Sequence, residues 1–281
     1  MFLLLPSSIV NNLFLYCLIW AAKRTGMIIH SITVMGNHYH IVLTDPDGLL
    51  PFFMADLNRM VAKALHCHYG RWENFWAPDS YDRKVCVSTE DALDRMVYNM
   101  ANPTSSGLVE KVDQWPGLIT LPEHLDGRVL RATRPDFYFD PKGKMPKELE
   151  LVLEPPPGCE DWDREELIRY LRTRIQEREA AAYEKYDGKF LGVKKILAMH
   201  HTDQPKTREP RRKPSMRIAA RNKWQRIEEL HRLKTFERDY ADCQSRYRAG
   251  DKDVVFPAGT FWMKHFTPAR VQKPPDPPLM T

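Results

Sequence analysis

Cysteine is sparse in this sequence, and the little there is forms no pattern. Cys17, Cys67, Cys86, Cys159 and Cys243 are scattered, with no C-x-x-C pair. That spacing argues against a disulfide framework or a thiolate zinc site and fits a reducing, cytoplasmic compartment. No G-x-x-x-x-G-K-[ST] run occurs, so the phosphate-cradling loop of nucleotide hydrolases is absent. No internal repeat is present. An uninterrupted apolar run of membrane-spanning length is missing too. Residues 1–22 come nearest, but Pro6, Ser7, Ser8, Asn11 and Asn12 break them up, and the first cations, Lys23 and Arg24, follow the stretch instead of opening it. The stretch predicts a buried amphipathic helix over 7–24, capped by Ser7 or Ser8, and no membrane partner. Finally, most of the chain lacks excess positive charge. Residues 1–116 hold 9 Lys/Arg against 11 Asp/Glu, and residues 117–204 hold 15 against 17. Residues 205–281 hold 18 against 9, so the whole basic excess lies there. Such a segment suits a phosphate backbone, although a solvated basic tail has the same composition.

What is present centres on Met35-Gly36-Asn37-His38-Tyr39-His40-Ile41-Val42. Residues 27–35 and 38–43 both read as strands, and Gly36-Asn37 between them reads as a tight hairpin link. Alternation along a strand puts His38 and His40 on one face and Tyr39, Ile41 and Leu43 on the other. Two imidazoles fixed on one face suit a divalent cation. Pairs of histidines at this spacing also arise by chance.

A second stretch adds to that reading. Ser88-Thr89-Glu90-Asp91 is a helix start, with a hydroxyl cap and acids at the positive end of the dipole. Leu93, Met96, Val97 and Met100 form an apolar stripe, and Pro103 stops the helix at Asn102. Tyr98 and Asn102, four residues apart, share a face.

These two stretches, M-G-N-H-Y-H-I-V-L and Y-N-M-A-N-P-T-S-S-G-L-V, resemble the REP-associated tyrosine transposases, single-tyrosine HUH enzymes of bacterial insertion sequences. The resemblance covers roughly residues 2–116. It implies that His38 and His40 bind a divalent metal, magnesium or manganese, that Asn102 completes the site, and that Tyr98 is the nucleophile. The implied reaction is transesterification on single-stranded or hairpin DNA, leaving a 5′-phosphotyrosine and a free 3′-OH. The family's basic residue after N-P-V is missing, because Thr104-Ser105-Ser106 stands there. Three rival readings share these residues: a non-catalytic or decayed DNA-binding protein, a replication-type nickase, and a structural protein in which Tyr98 and both histidines are simply buried.

The expected fold class is α+β. A ferredoxin-like antiparallel sheet with helices on one face spans residues 1–117, a β or irregular connector spans 118–158, and a mainly helical basic region spans 159–281. Strands are expected at 27–35, 38–43 and 81–87, and helices at 49–69, 161–189 and 217–248. The ferredoxin-like order needs a strand before the first helix, and that strand is missing here. Either the start lies upstream or the gene is a remnant. Trp72, Phe75 and Trp76 form an aromatic cluster expected to pack in the core, with base stacking as the alternative. Ile227, Leu230, Leu233, Phe236 and Tyr240 are expected to face inward, and the run 254–266 to pack on them. Arg211, Arg212, Lys213, Arg217 and Arg221 are the candidate DNA contacts. A monomer and a homodimer both remain open.

Overall fold

The structure, a computed structural model, describes residues 1–77, 81–204 and 217–273. In chain order its elements are α1 (Ser8–Thr25), β1 (Ile28–Val34), β2 (Tyr39–Thr44), α2 (Leu50–Tyr69), β3 (Lys84–Cys86), α3 (Thr89–Met100), α4 (Asn102–Ser105), β4 (Val129–Thr133) and β5 (Glu148–Val152). Then follow α5 (Arg164–Tyr186), α6 (Val193–Leu197), β6 (Arg217–Ala219), α7 (Lys223–Arg248), β7 (Val255–Phe256), α8 (Phe261–Phe266) and β8 (Arg270–Val271). The chain is mixed α/β and divides into two compact units, 1–83 with 88–215 and 84–87 with 216–281. The expected divisions at 117 and 158 both fall inside the first unit, which also holds α5.

In the first unit α1 starts where Ser7 caps it, the hydroxyl accepting from Val10 N at 3.1 Å. It ends at Gly26, whose φ of 68° is left-handed and free of strain only for glycine. The expectation of an amphipathic helix needs correction. Val10, Leu13 to Ile19, Ala21, Ala22 and Thr25 are all buried, so α1 is covered almost all round. It packs against α2, β1, β4 and β5, which leaves little of its surface for water. Polar groups pin this packing. Asn12 donates to Thr133 O at 2.7 Å and accepts from Thr133 N at 2.9 Å, and the Tyr16 hydroxyl donates to Pro146 O at 2.7 Å. The stretch 118–153 thus supplies a hairpin, β4 paired antiparallel with β5, that covers α1.

The β1–β2 hairpin forms as its sequence predicts. Thr33 pairs with His40 and Val34 with Tyr39, and Met35 N donates to His38 O at 2.8 Å around Gly36-Asn37. On the far side of β1, Val34 N donates to Leu118 O and Thr120 N to Ile32 O, each at 2.8 Å. One hairpin face meets α1 and α2. There the Tyr39 ring lies edge-on to Phe14 at 5.0 Å, and its hydroxyl donates to Asn58 Oδ1 at 2.6 Å. Phe75 and Trp76 pack beside this cluster, while Trp72 is 90% exposed. The other face meets α3. Helices therefore lie on both faces of the hairpin, not on one.

The expected strand at 81–87 is only Lys84–Cys86, and it does not join the hairpin. It pairs in parallel with β6, inside the second unit. Lys84 and Val85 are exposed, so no buried face fixes this strand against a core sheet. All four sheets among the described residues are two-stranded.

The second unit also contains the parallel pair β7–β8 and a small core of Val254, Phe256 and Met263, packed against Tyr240, Cys243 and Tyr247 of α7. The run 254–266 thus does pack on the long helix. That helix starts at Lys223 instead of 217, because residues 217–219 form β6 and Asn222 caps the helix, its Oδ1 accepting from Trp224 N at 2.8 Å. No α7 residue is fully buried, which corrects the inward assignment: Leu230 is exposed, and Ile227, Leu233, Phe236 and Tyr240 are half-buried. Among the described residues, no helix is long and apolar enough to cross a membrane.

Candidate functional site

The site is built on α3 and the hairpin. Ser88 and Asp91 form a capping box: Ser88 Oγ accepts from Asp91 N, and Asp91 Oδ2 accepts from Ser88 N, both at 3.2 Å. Two of the orphan amides at the helix start are satisfied in this way. Leu93, Met96, Val97 and Met100 are buried, as the apolar stripe predicts. Their burial fixes the rotation of the helix. Asn99, also buried, donates to Ser31 Oγ at 2.8 Å and ties α3 to β1. Tyr98 is turned outward and stays 41% exposed.

At Ala101 the backbone leaves the α3 helix, and Pro103 sits in the first turn of α4. The break comes one residue before the expected stop, and Asn102 opens α4 while staying buried. Residues far along the chain hold this turn. Tyr186 of α5 donates its hydroxyl to Ser105 O at 2.9 Å. Gly107 has φ 72°, and a Cβ there would come within 3.0 Å of the Tyr186 ring. Only glycine satisfies both the left-handed backbone and this close approach.

The predicted set converges. The rings of His38 and His40 lie 4.9 Å apart, and the Tyr98 ring lies 5.7 Å from that of His40. The Asn102 amide Nδ2 donates to His40 Nε2 at 3.2 Å. With the amide turned this way, Nδ2 donates and Nε2 accepts. Asn37 makes the corresponding arrangement at His38, where Nδ1 donates to Asn37 Oδ1 at 2.7 Å, which leaves the lone pair on Nε2. In this arrangement both imidazoles carry their proton on Nδ1, and a cation at His40 Nε2 would displace the Asn102 N–H. The amide of Asn102 is turned with Nδ2 toward His40, while its Oδ1 accepts from Ser106 Oγ at 3.3 Å. A half-turn of that amide would offer oxygen instead. The donor set thus fits a divalent cation weakly: two imidazoles and one amide, with open positions for phosphate oxygen. Among the described residues, no group of three or more His, Cys, Asp or Glu is placed to hold a metal.

Tyr39, the neighbouring phenol, belongs to the opposite face. Burial pushes its pKa well up, against the opposing hydrogen bond with Asn58. The expected division of the two tyrosines between faces therefore holds. His66 and His68, two apart on α2, diverge, His66 toward Phe75 and His68 toward Phe137.

Of the candidate DNA contacts, Arg211, Arg212 and Lys213 lie outside the described residues. Arg217 begins β6, and Arg221 is exposed in the bend before α7. Two site neighbours were not singled out from sequence. Asn37 was legible only as a turn residue. Arg95 lies one turn before Tyr98, its guanidinium carbon 5.8 Å from the ring centroid; its i, i+3 spacing to Tyr98 was the available signal.

No family model matches the chain, and neither does any curated protein or solved structure.

Proposed function

We propose that the chain is an HUH-type tyrosine transposase, or single-stranded DNA endonuclease, in which Tyr98 attacks a DNA phosphate beside a cation held by His38, His40 and Asn102. The single observation that carries this is the meeting of the two motifs. His40 and Asn102 are 62 residues apart in sequence yet lie in hydrogen-bond contact, with Tyr98 against the same imidazole. In a merely buried constellation the phenol would be enclosed; here it faces solvent.

Tyr98 Oη forms a bond to phosphorus as the P–O3′ bond breaks. The phenol loses its proton and the departing 3′ oxygen gains one, so a 5′-phosphotyrosine and a 3′-OH result. A bound magnesium or manganese ion would neutralise charge developing on the phosphate oxygens. The protein's own part is to bring His38, His40 and Asn102 together beside a Tyr98 that stays exposed. A later attack by a 3′-OH would reverse the linkage without ATP. The fold reading that accompanies this is ferredoxin-like. Its support is the α1 and α2 packing on the Tyr39 face of the hairpin.

The test is covalent capture. A pool of randomised single-stranded oligonucleotides labelled at the 3′ end should become attached to the protein in magnesium or manganese, while a 5′ label is released. Tyr98→Phe should abolish attachment, and His38→Ala with His40→Ala should abolish the metal-dependent attachment, each with unchanged circular dichroism. Adduct persisting in Tyr98→Phe would overturn the assignment of the nucleophile.

A further inference from the structure

Arg95, Tyr98 and Asn102 are spaced i, i+3 and i+7, and so form one stripe along α3 and its continuation. Tyr98 lies near Arg95, with the guanidinium carbon 5.8 Å from the ring centroid, and near His40, at 5.7 Å between rings. The acids nearest to Arg95 on its own helix are engaged elsewhere. Asp91 is bound into the Ser88 cap, and Asp94 pairs with Arg174 of α5 at 3.0 Å. Among the described residues, no carboxylate forms an ion pair with Arg95. A half-buried guanidinium thus stands beside the solvent-facing phenol of the site.

Resting on the function proposed above, we propose that Arg95 is the DNA-phosphate ligand of this site. Its guanidinium takes non-bridging oxygen of the phosphate that Tyr98 attacks. The planar fork of arginine suits two oxygens of one phosphate, which a lysine can meet only as a point charge. The bland alternative is a cation–π contact that merely steadies the ring. That contact gives no reason for DNA affinity to depend on Arg95.

Two readouts on the full chain separate these readings. The first is equilibrium binding of the randomised single-stranded DNA pool across salt concentrations, in the Tyr98→Phe background so that no chemistry intervenes. Arg95→Ala should reduce the magnitude of the log-affinity against log-salt slope by about 0.7, one phosphate contact. The second is the rate of adduct formation with Tyr98 intact. Arg95→Ala should lose on the order of 100-fold, the scale for removal of one transition-state donor, and Arg95→Lys should recover part of it. Circular dichroism of both variants checks folding, and Arg95→Lys carries the test should Arg95→Ala misfold. An unchanged salt slope with an unchanged adduct rate would overturn the Arg95 assignment and leave the Tyr98 reading standing. A normal slope change with no adduct from any variant would overturn the Tyr98 reading and leave Arg95 as a DNA contact. Absence of DNA binding by the full chain would sink both.

Discussion

Helices α1 and α7 start in the same way and differ in composition and burial, α1 being mostly apolar and α7 rich in charge. Both are capped by a polar residue, Ser7 for one and Asn222 for the other. In α1, 11 of 18 residues are buried, whereas in the 26 residues of α7 none is. Local sequence signals set where a helix starts and stops; burial depends on how much apolar surface the rest of its unit can supply. The first unit has a large core around α1, and the second has the small cluster at Val254, Phe256 and Met263. The candidate site belongs to the well-packed unit, as a site that must hold two imidazoles and a phenol within a few ångströms requires.

That contrast breaks most visibly in the α1 core. Phe14 is fully buried and lies edge-on to Tyr39, beneath the strand that carries His40. Phe14→Ala should destabilise the first unit by about 3–5 kcal/mol. Hydrogen-exchange mass spectrometry should show α1, β1 and β2 losing protection together while α7 is unchanged. Equal loss across both units would mean that they unfold as one cooperative body, contrary to the division drawn from their packing.

A smaller effect follows from His30, buried in β1 with Nδ1 on Glu154 O and Nε2 on Thr44 Oγ1, each at 2.8 Å. Burial lowers its pKa below the ordinary histidine value, outweighing the hydrogen bond and charge of Glu154. The unfolded chain therefore takes up this proton at a higher pH than the folded one. Stability from His30 is present above the ordinary value of about 6.5 and falls as pH drops from there toward the folded pKa. His124, also lowered by burial, acts in the same direction. His30→Gln should flatten part of the fall in urea midpoint between neutral and mildly acidic pH. A midpoint curve unchanged by the substitution would remove His30 as its source.

How much of this was legible can be read from particular residues. The Ser7 and Ser88 caps, the Gly36-Asn37 turn and the Tyr98–Asn102 spacing are all local, and the structure has them where local rules put them. The opposite faces of Tyr39 and His40 follow from strand alternation alone. The partners were not legible. Nothing near Gly107 announces that Tyr186 will close over it, and nothing near Lys84 announces a parallel partner at Arg217. Such pairings are set by long-range packing, which period and propensity do not encode. The all-round burial of α1 was missed for the same reason, since the β4–β5 hairpin that covers it lies more than 100 residues further on. Arg95 was overlooked because an arginine on an exposed helix face is ordinary until its neighbours are known.

The smallest effect is expected at Leu230, and it sharpens the comparison because the substitution resembles that at Phe14 and the outcome should not. Leu230 lies in α7 and is 43% exposed, so truncation removes little buried area and opens no closed cavity. Alanine is also the stronger helix former, which offsets part of what is lost. Leu230→Ala should therefore change stability by no more than about 0.5 kcal/mol, the usual range for surface positions. Urea unfolding followed by circular dichroism at two protein concentrations is the check. A loss of several kcal/mol at both concentrations would show that α7 is packed far more closely than the exposure of its residues indicates. A loss that grows on dilution would show that a second copy of the chain covers α7, because only an intermolecular contact weakens with protein concentration.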